Sequence, residues 1–116
     1  MLKKHISSFR FAWNGLKTVW REEHNFRVEV LVAVIVVFSI FYFGFSFFES
    51  ALCVLAITLV LCAEIINTVV EDLCDKVQLN PDPIIAKIKD TAGAFVLVSV
   101  LGSIVVGLLV FYNHFF

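Results

Sequence analysis

Residues 63–75 of the chain read AEIINTVVEDLCD. This stretch ends an apolar run that begins near residue 50, and it adds four polar side chains to that run: Glu64, Asn67, Glu71 and Asp75. The last three follow the first at offsets of 3, 7 and 11 residues. Because an α-helix turns by about 100° per residue, all four fall on one narrow face, which we call the acidic stripe. Acidic side chains are costly in a lipid-facing helix, so the stripe is predicted to be paired or used.

The composition is typical of a membrane protein. Hydrophobic residues make up 60% of the 116 residues, and the mean hydropathy of +0.95 is well above the usual soluble range. Charged residues make up only 16% and the net charge is −1, so nucleic acid is not expected as a partner. The three cysteines lack C-x-x-C spacing, which favours buried apolar thiols.

The hydrophobic pattern predicts an all-α integral membrane protein, with an N-terminal amphipathic surface helix and three transmembrane helices in each subunit. Residues 1–27 interleave aromatic and aliphatic side chains with lysine and arginine, as in a helix lying in the membrane interface. The spans are predicted at 28–48, 50–70 and 91–112. Each has about 20 residues, enough to cross a hydrocarbon core of about 30 Å. The chain, 1–116, is interpreted as one domain.

Two features interrupt this pattern. Glu29 is the only break in the first span and lies near its start. Residues 71–90 form a polar connection that is predicted to be a loop, with a turn and helix stop at the NPDP sequence of 80–83. Within this connection, 84–90 is predicted to restart a helix that runs into the third span.

The basic residues predict the orientation of the chain. Six of the nine lysine and arginine residues precede the first span, and the other three lie in the polar connection. The positive-inside rule therefore predicts that the N-terminus and the polar connection are cytoplasmic and that the C-terminus is outside. The acidic stripe then opens on the cytoplasmic side, where nucleotides are found.

Carboxylates and lysine at a membrane surface suit Mg²⁺ with phosphate. Mg²⁺ is usually held by one or two carboxylates plus substrate phosphates, and lysine supplies a point charge for phosphate oxygens. A carboxylate at the hydrocarbon edge, such as Glu64, suits a general base. The residues alone also permit an interhelical polar network that fixes packing. Gly102 and Gly107 have Walker spacing but no lysine follows them, so a nucleotide site would be of another kind.

The acidic stripe, followed by AKIKD at 86–90, resembles the prokaryotic diacylglycerol kinase family, which includes closely similar undecaprenol kinases. The segments AWNGL at 12–16 and EHNFR at 23–27 are similar to that family as well. The resemblance implies a homotrimer of three-span subunits with active sites shared between neighbours. It also implies Mg²⁺-dependent transfer of phosphate from ATP to a lipid hydroxyl, at the cytoplasmic face of the bacterial inner membrane.

The resemblance also implies roles for individual residues. It makes Glu64 the catalytic base, and it makes Glu23 and Glu71 the metal ligands. A further set would contact the nucleotide phosphates: Asn67, Asp75, Lys89, Asp90 and Arg10. Within that set, Asp90 is expected to be a partner for the lysine, and Arg10 lies near the family's nucleotide-contacting N-terminal helix.

Two alternatives accompany this interpretation. The preferred lipid is diacylglycerol, which would give phosphatidic acid, and the alternative is undecaprenol, which would give undecaprenyl phosphate. A different class of function is a non-enzymatic membrane protein, in which the stripe serves as a proton or cation pathway or as packing contacts of a structural subunit. The polar connection distinguishes the classes, because a relay needs neither the Lys89-Asp90 pair nor an acid at Glu23.

Overall fold

A computed structural model describes residues 1–77 and 80–116, and this part of the chain forms four helices. In chain order they are α1 (Leu2–Glu22), α2 (His24–Phe43), α3 (Phe47–Val77) and α4 (Pro83–Phe115). The last three are long and apolar enough to cross a membrane. This confirms the predicted all-α architecture of an N-terminal helix followed by three transmembrane helices.

The corner between α1 and α2 is fixed by a single arginine. Glu23 is the one residue between the two helices and has an extended backbone, with φ −111° and ψ 107°. Arg27 Nη1 donates to the carbonyl oxygens of Trp20, at 2.8 Å, and Arg21, at 3.0 Å. These are carbonyls of the last turn of α1, which have no partner within the helix. Arg27 therefore ties the end of α1 to the start of α2 and sets the position of Glu23.

The hairpin between α2 and α3 is short because both helix ends are capped locally. Gly44 follows α2 in the left-handed region, with φ 66° and ψ 48°, a conformation that favours glycine. Ser46 then precedes α3, and its backbone N–H donates to Glu49 Oε1 at 2.8 Å. In return, the Glu49 N–H donates to Ser46 Oγ at 3.2 Å. This reciprocal pair is a capping box, and it starts α3 directly after the turn.

Helices α3 and α4 form the closest pair in the bundle. Ser103 Oγ, on α4, donates across the interface to the Ala56 carbonyl oxygen of α3 at 3.1 Å. α3 has 31 residues, which corresponds to a length of about 46 Å. Because a hydrocarbon core is about 30 Å thick, α3 extends beyond it.

The prediction that a loop begins at 71 was wrong, whereas the predicted restart of a helix at 84 is confirmed to within one residue. α3 continues to Val77, because polar side chains spaced four residues apart, such as Asn67 and Glu71, support the helix beyond its apolar run. α4 begins at Pro83, where Asp82 caps it by accepting from the N–H groups of Ile84 and Ile85. The connection is therefore much shorter than its polar composition predicts.

Replacing Arg27 with methionine should loosen the corner between α1 and α2. The aliphatic stem is kept, but two carbonyl oxygens lose a charged donor and regain water. We expect the free energy of unfolding to fall by about 1 kcal/mol. Thermal unfolding in detergent micelles measures the change, with Lys3→Met as the control for loss of one positive charge. Equal unfolding temperatures for Arg27→Met and Lys3→Met would show that Arg27 does not hold the corner.

Candidate functional site

The predicted base lies inside the bundle. Glu64 is 2% exposed, and the preceding residue, Ala63, is completely buried. Thr68 Oγ1 donates to the Glu64 carbonyl oxygen at 2.9 Å, so the hydroxyl is satisfied by the helix itself. A carboxyl group at this depth needs a polar partner from another helix, since a lone buried charge is strongly unfavourable.

That partner is Glu29, on α2. The carboxyl groups of Glu29 and Glu64 lie within hydrogen-bonding reach of each other. Two carboxylates would repel, so the contact is favourable only when one carboxyl is protonated and donates to the other. Glu29 Oε2 is buried and accepts no hydrogen bond from the described residues. Sequence analysis assigned Glu29 no role, although the signal that singled out Glu64, an acid inside an apolar span, applies equally to Glu29.

The next residues of the acidic stripe leave oxygen atoms available. Asn67 Nδ2 donates to Glu71 Oε1 at 3.3 Å, which aligns the two side chains along α3. Asn67 Oδ1 is buried and finds no hydrogen-bond partner within 1–77 and 80–116. Buried polar atoms are nearly always satisfied in folded proteins, so an orphaned acceptor marks a place where a cation or a donor from a ligand fits.

Glu23 joins the stripe from the corner between α1 and α2. Partial burial raises the pKa of the Glu23 carboxyl above its ordinary value, and the negative charges of Glu71, Asp72 and Glu22 raise it further. Glu23 and Glu71 both also lie close enough to Glu64 to interact with it electrostatically. The fold therefore brings together the predicted base and both predicted metal ligands.

The carboxylates around Glu23 do not form a complete metal site by themselves. Among the described residues, no group of three or more His, Cys, Asp or Glu side chains is placed to hold a metal ion. A pair of carboxylates with a nearby amide oxygen nevertheless fits Mg²⁺, which prefers oxygen and commonly takes its remaining ligands from water and substrate phosphates.

An ion pair between Lys89 and Asp75 joins α4 to α3 near the connection between them. Lys89 Nζ donates to Asp75 Oδ1, which links α4 to the last turns of α3. The Lys89 side chain is 38% exposed and that of Asp75 is 64% exposed, so both are open to a ligand. Asp90, the predicted partner of the lysine, is exposed and makes no ion pair within the described ranges.

Arg10 is separate from this cluster in the single chain. It lies on the exposed surface of α1, twelve residues before Glu22. At about 1.5 Å per residue, that spacing corresponds to about 18 Å along the helix. The structure therefore joins seven of the eight predicted site residues at one end of the bundle and leaves Arg10 apart.

An apolar groove opens beside the carboxyl pair. It has a volume of about 470 Å³ and lies between α2, α3 and α4. Asn25 and Glu29 contribute polar groups, whereas most of the lining is aliphatic, for example Val32, Val60 and Ile104. A groove of this kind accepts a hydrocarbon chain and brings its polar end to the carboxyl groups.

Comparison with known proteins gives a consistent result. The family model described as Prokaryotic diacylglycerol kinase matches residues 10–111. The diacylglycerol kinase of Escherichia coli strain K12 is 23% identical over 110 residues, which cover 95% of this chain and 90% of that protein. The diacylglycerol kinase of Haemophilus influenzae strain Rd is 28% identical over 108 residues, which cover 91% of this chain and 92% of that protein.

A third relative, the diacylglycerol kinase of Synechocystis sp. strain PCC 6803, is 30% identical over 103 residues, which cover 88% of this chain and 59% of that protein. The family match spans the corner at Glu23, the acidic stripe and the Lys89 region, which are the parts of the chain that build the site. This chain therefore belongs to the prokaryotic diacylglycerol kinase family, a family of membrane lipid kinases.

Proposed function

We propose that this protein transfers the γ-phosphate of ATP to the hydroxyl of diacylglycerol, giving phosphatidic acid. The observation that carries the proposal is the buried Glu64 carboxyl, which contacts Glu29 in the lining of an apolar groove on one side and lies near the carboxylates of Glu23 and Glu71 on the other. A lipid alcohol needs both environments, because its chain stays in hydrocarbon while its hydroxyl meets the nucleotide. We assign the reaction to the cytoplasmic face of the bacterial inner membrane, and the distribution of basic residues supports this orientation.

Glu64 acts as the general base in this proposal. Its carboxyl group accepts the proton of the lipid hydroxyl as the oxygen attacks the γ-phosphorus of ATP, and ADP leaves. Glu29 is the protonated member of the pair in this proposal, and by donating to Glu64 it holds that carboxyl in position. Because Glu64 is almost fully buried, water is kept away from the reacting phosphorus, and hydrolysis of ATP is disfavoured.

The phosphate groups are assigned to the exposed end of the stripe. Glu23 and Glu71 would hold Mg²⁺, and the orphaned Asn67 Oδ1 supports a cation at this place. When bound, Mg²⁺ neutralises charge on the phosphate oxygens during transfer. The ammonium group of Lys89 turns from Asp75 towards the phosphates, and both side chains are exposed enough for this exchange.

Asp90 and Arg10 have weaker structural support. Asp90 follows Lys89 on α4 and is exposed at the same end of the bundle. Arg10 is assigned to the nucleotide because of its position on the N-terminal helix. It lies far from the end of α1 that is near the site, so in this proposal Arg10 reaches the nucleotide through the ligand itself or from a neighbouring subunit.

A homotrimer with shared sites fits the sparse interior of the single chain. The most apolar stretches of α2 and α4 are largely exposed in the single chain, since only 6% and 11% of their residues are buried. Small residues on α4, such as Gly102 and Gly107, suit close approach of another helix. A neighbouring subunit would also cover the side of the acidic stripe that faces away from α2.

Diacylglycerol is preferred over undecaprenol because the relatives named above are diacylglycerol kinases. The groove accepts an acyl or a polyprenyl chain equally well, since its lining is aliphatic. Membership of a kinase family argues against the non-enzymatic alternatives, in which the Lys89 and Glu23 groups would have no purpose.

Replacing Glu64 with glutamine should keep the shape of the side chain and remove the base. We expect kcat to fall by about 10²- to 10⁴-fold. Production of ADP by purified protein with ATP, Mg²⁺ and diacylglycerol in mixed micelles measures the loss. Asp82→Asn is the matched control, because it also converts an acid to its amide, asparagine caps helices as well as aspartate does, and Asp82 lies outside the site. Near-normal turnover of Glu64→Gln would eliminate the proposed base.

Replacing Glu23 with glutamine should relieve the electrostatic repulsion between neighbouring carboxylates. A carboxyl whose pKa is raised in the folded state binds its proton more tightly there than in the unfolded chain. The folded state therefore loses stability as the pH rises above the ordinary range of glutamate. Without Mg²⁺, we expect Glu23→Gln to be more stable than the wild type at neutral pH by about 0.5 kcal/mol, and the difference to vanish below about pH 4.

The same variant tests the metal. Added Mg²⁺ should raise the unfolding temperature of the wild type more than that of Glu23→Gln, because the variant lacks one proposed ligand. Asp82→Asn should respond to Mg²⁺ like the wild type. Identical responses of the wild type and Glu23→Gln would remove Glu23 from the metal site without affecting the role of Glu64.

A competition between the two lipids tests the substrate. With ATP and Mg²⁺ fixed, diacylglycerol and undecaprenol are mixed in the same micelles and the two phosphorylated products are separated. The ratio of products reports the ratio of kcat/KM values, and we expect it to favour diacylglycerol by about tenfold or more, which is about 1.4 kcal/mol of transition-state binding. Preference for undecaprenol would reverse the assignment and leave the kinase chemistry intact.

A further inference from the structure

A second buried acid lies at the opposite end of α3. Glu49 is 5% exposed and precedes Glu64 by fifteen residues, which places it about 22 Å away along the helix. Its Oε1 accepts from the Ser46 N–H and lies 3.0 Å from His114 Nδ1. Its Oε2 accepts from Asn113 Nδ2 at 3.1 Å. The proposed phosphotransfer uses none of these groups.

His114, near the end of α4, is held between two acceptors. Nδ1 faces the Glu49 carboxylate, and Nε2 lies 3.0 Å from the Phe43 carbonyl oxygen at the end of α2. A backbone carbonyl can only accept a hydrogen bond, and so can an ionised carboxylate. When Glu49 is ionised, both acceptors are satisfied only if both ring nitrogens donate, an arrangement that gives His114 a positive charge.

Aromatic rings enclose the imidazole. The ring of Phe45 lies 4.8 Å from that of His114 and the ring of Phe115 also lies at 4.8 Å, centroid to centroid. Phe115 in turn contacts Phe43 edge-on, at 5.2 Å. Rings at this distance limit access of water to one side of the ion pair.

We propose that Glu49, His114 and the Phe43 carbonyl form a proton-dependent clasp that fastens the ends of α2, α3 and α4 on the side of the membrane opposite the phosphotransfer site. The contacts join three helices through one imidazole, so a change at His114 acts on all three. The clasp lies next to the Gly44 turn that connects α2 to α3. The short turn limits how far the ends of these two helices can separate.

The clasp opens when His114 loses a proton. A neutral imidazole keeps one N–H and presents a lone pair on the other nitrogen, so either the Glu49 carboxylate or the Phe43 carbonyl then faces a lone pair instead of a donor. Within the described residues, Glu49 is the charged group that contacts the imidazole. The other titratable side chains close by are Cys53, one turn beyond Glu49 on α3, and Tyr42, whose ring lies against Phe43. Higher pH on that side therefore weakens the attachment of α4.

The first test is thermal unfolding of the full chain in detergent micelles between about pH 6 and about pH 8, where histidine titrates. We expect the unfolding temperature of the wild type to fall by about 4 °C across this range, the scale set by one hydrogen bond. His114→Gln, which does not titrate, should lose most of this pH dependence. His5→Gln, an exposed histidine on α1, is the control and should keep it. The same pH dependence in His114→Gln and the wild type would overturn the proposal.

A second measurement needs no variant. Nitrogen-15 NMR of wild-type protein labelled at histidine reports the protonation of each ring nitrogen directly. We expect both nitrogens of His114 to carry protons at about pH 6, because each faces an acceptor. A neutral single tautomer of His114 at about pH 6 would overturn the clasp, whether or not His114→Gln folds.

Discussion

Burial of the Glu64 carboxyl within a membrane helix is the constraint on which the rest of this structure depends. An unpaired carboxylate removed from water costs several kcal/mol, so the bundle must supply a partner. Glu29 does so from α2, provided that one of the two carboxyl groups is protonated, and the contact links α2 to α3. The polar residues that follow on the same face of α3 then emerge beyond the hydrocarbon, where Glu23 and Lys89 meet them.

Much of this arrangement can be predicted from the sequence, because hydropathy and helical periodicity are local properties. The three spans and the shared face of Glu64, Asn67, Glu71 and Asp75 depend only on composition and on 3.6 residues per turn. The loop predicted from 71 conflicted with the helical face assigned to Glu71 and Asp75. The structure favours the helix, because side-chain spacing of four residues stabilises it although the composition is polar.

Contacts between helices could not be predicted in the same way. The pairing of Glu29 with Glu64 depends on how α2 and α3 rotate and approach, and that is set by packing of the whole bundle. The bond between Lys89 and Asp75, in place of one with Asp90, depends on where α4 begins after the Pro83 turn. The single chain also leaves Arg10 apart from the other predicted site residues.

Because α3 is longer than the hydrocarbon core, the thickness of the bilayer affects the geometry of the site. Glu64 and Glu71 share one rigid helix, so their separation is constant in any lipid. Glu23 belongs instead to the corner between α1 and α2, where Arg27 ties it to α2. Any change in bilayer thickness that tilts α3 against α2 therefore changes the distance between Glu23 and Glu71. The thickness of the surrounding bilayer is in this way coupled to the spacing of the two carboxylates, independently of any lipid that binds in the groove.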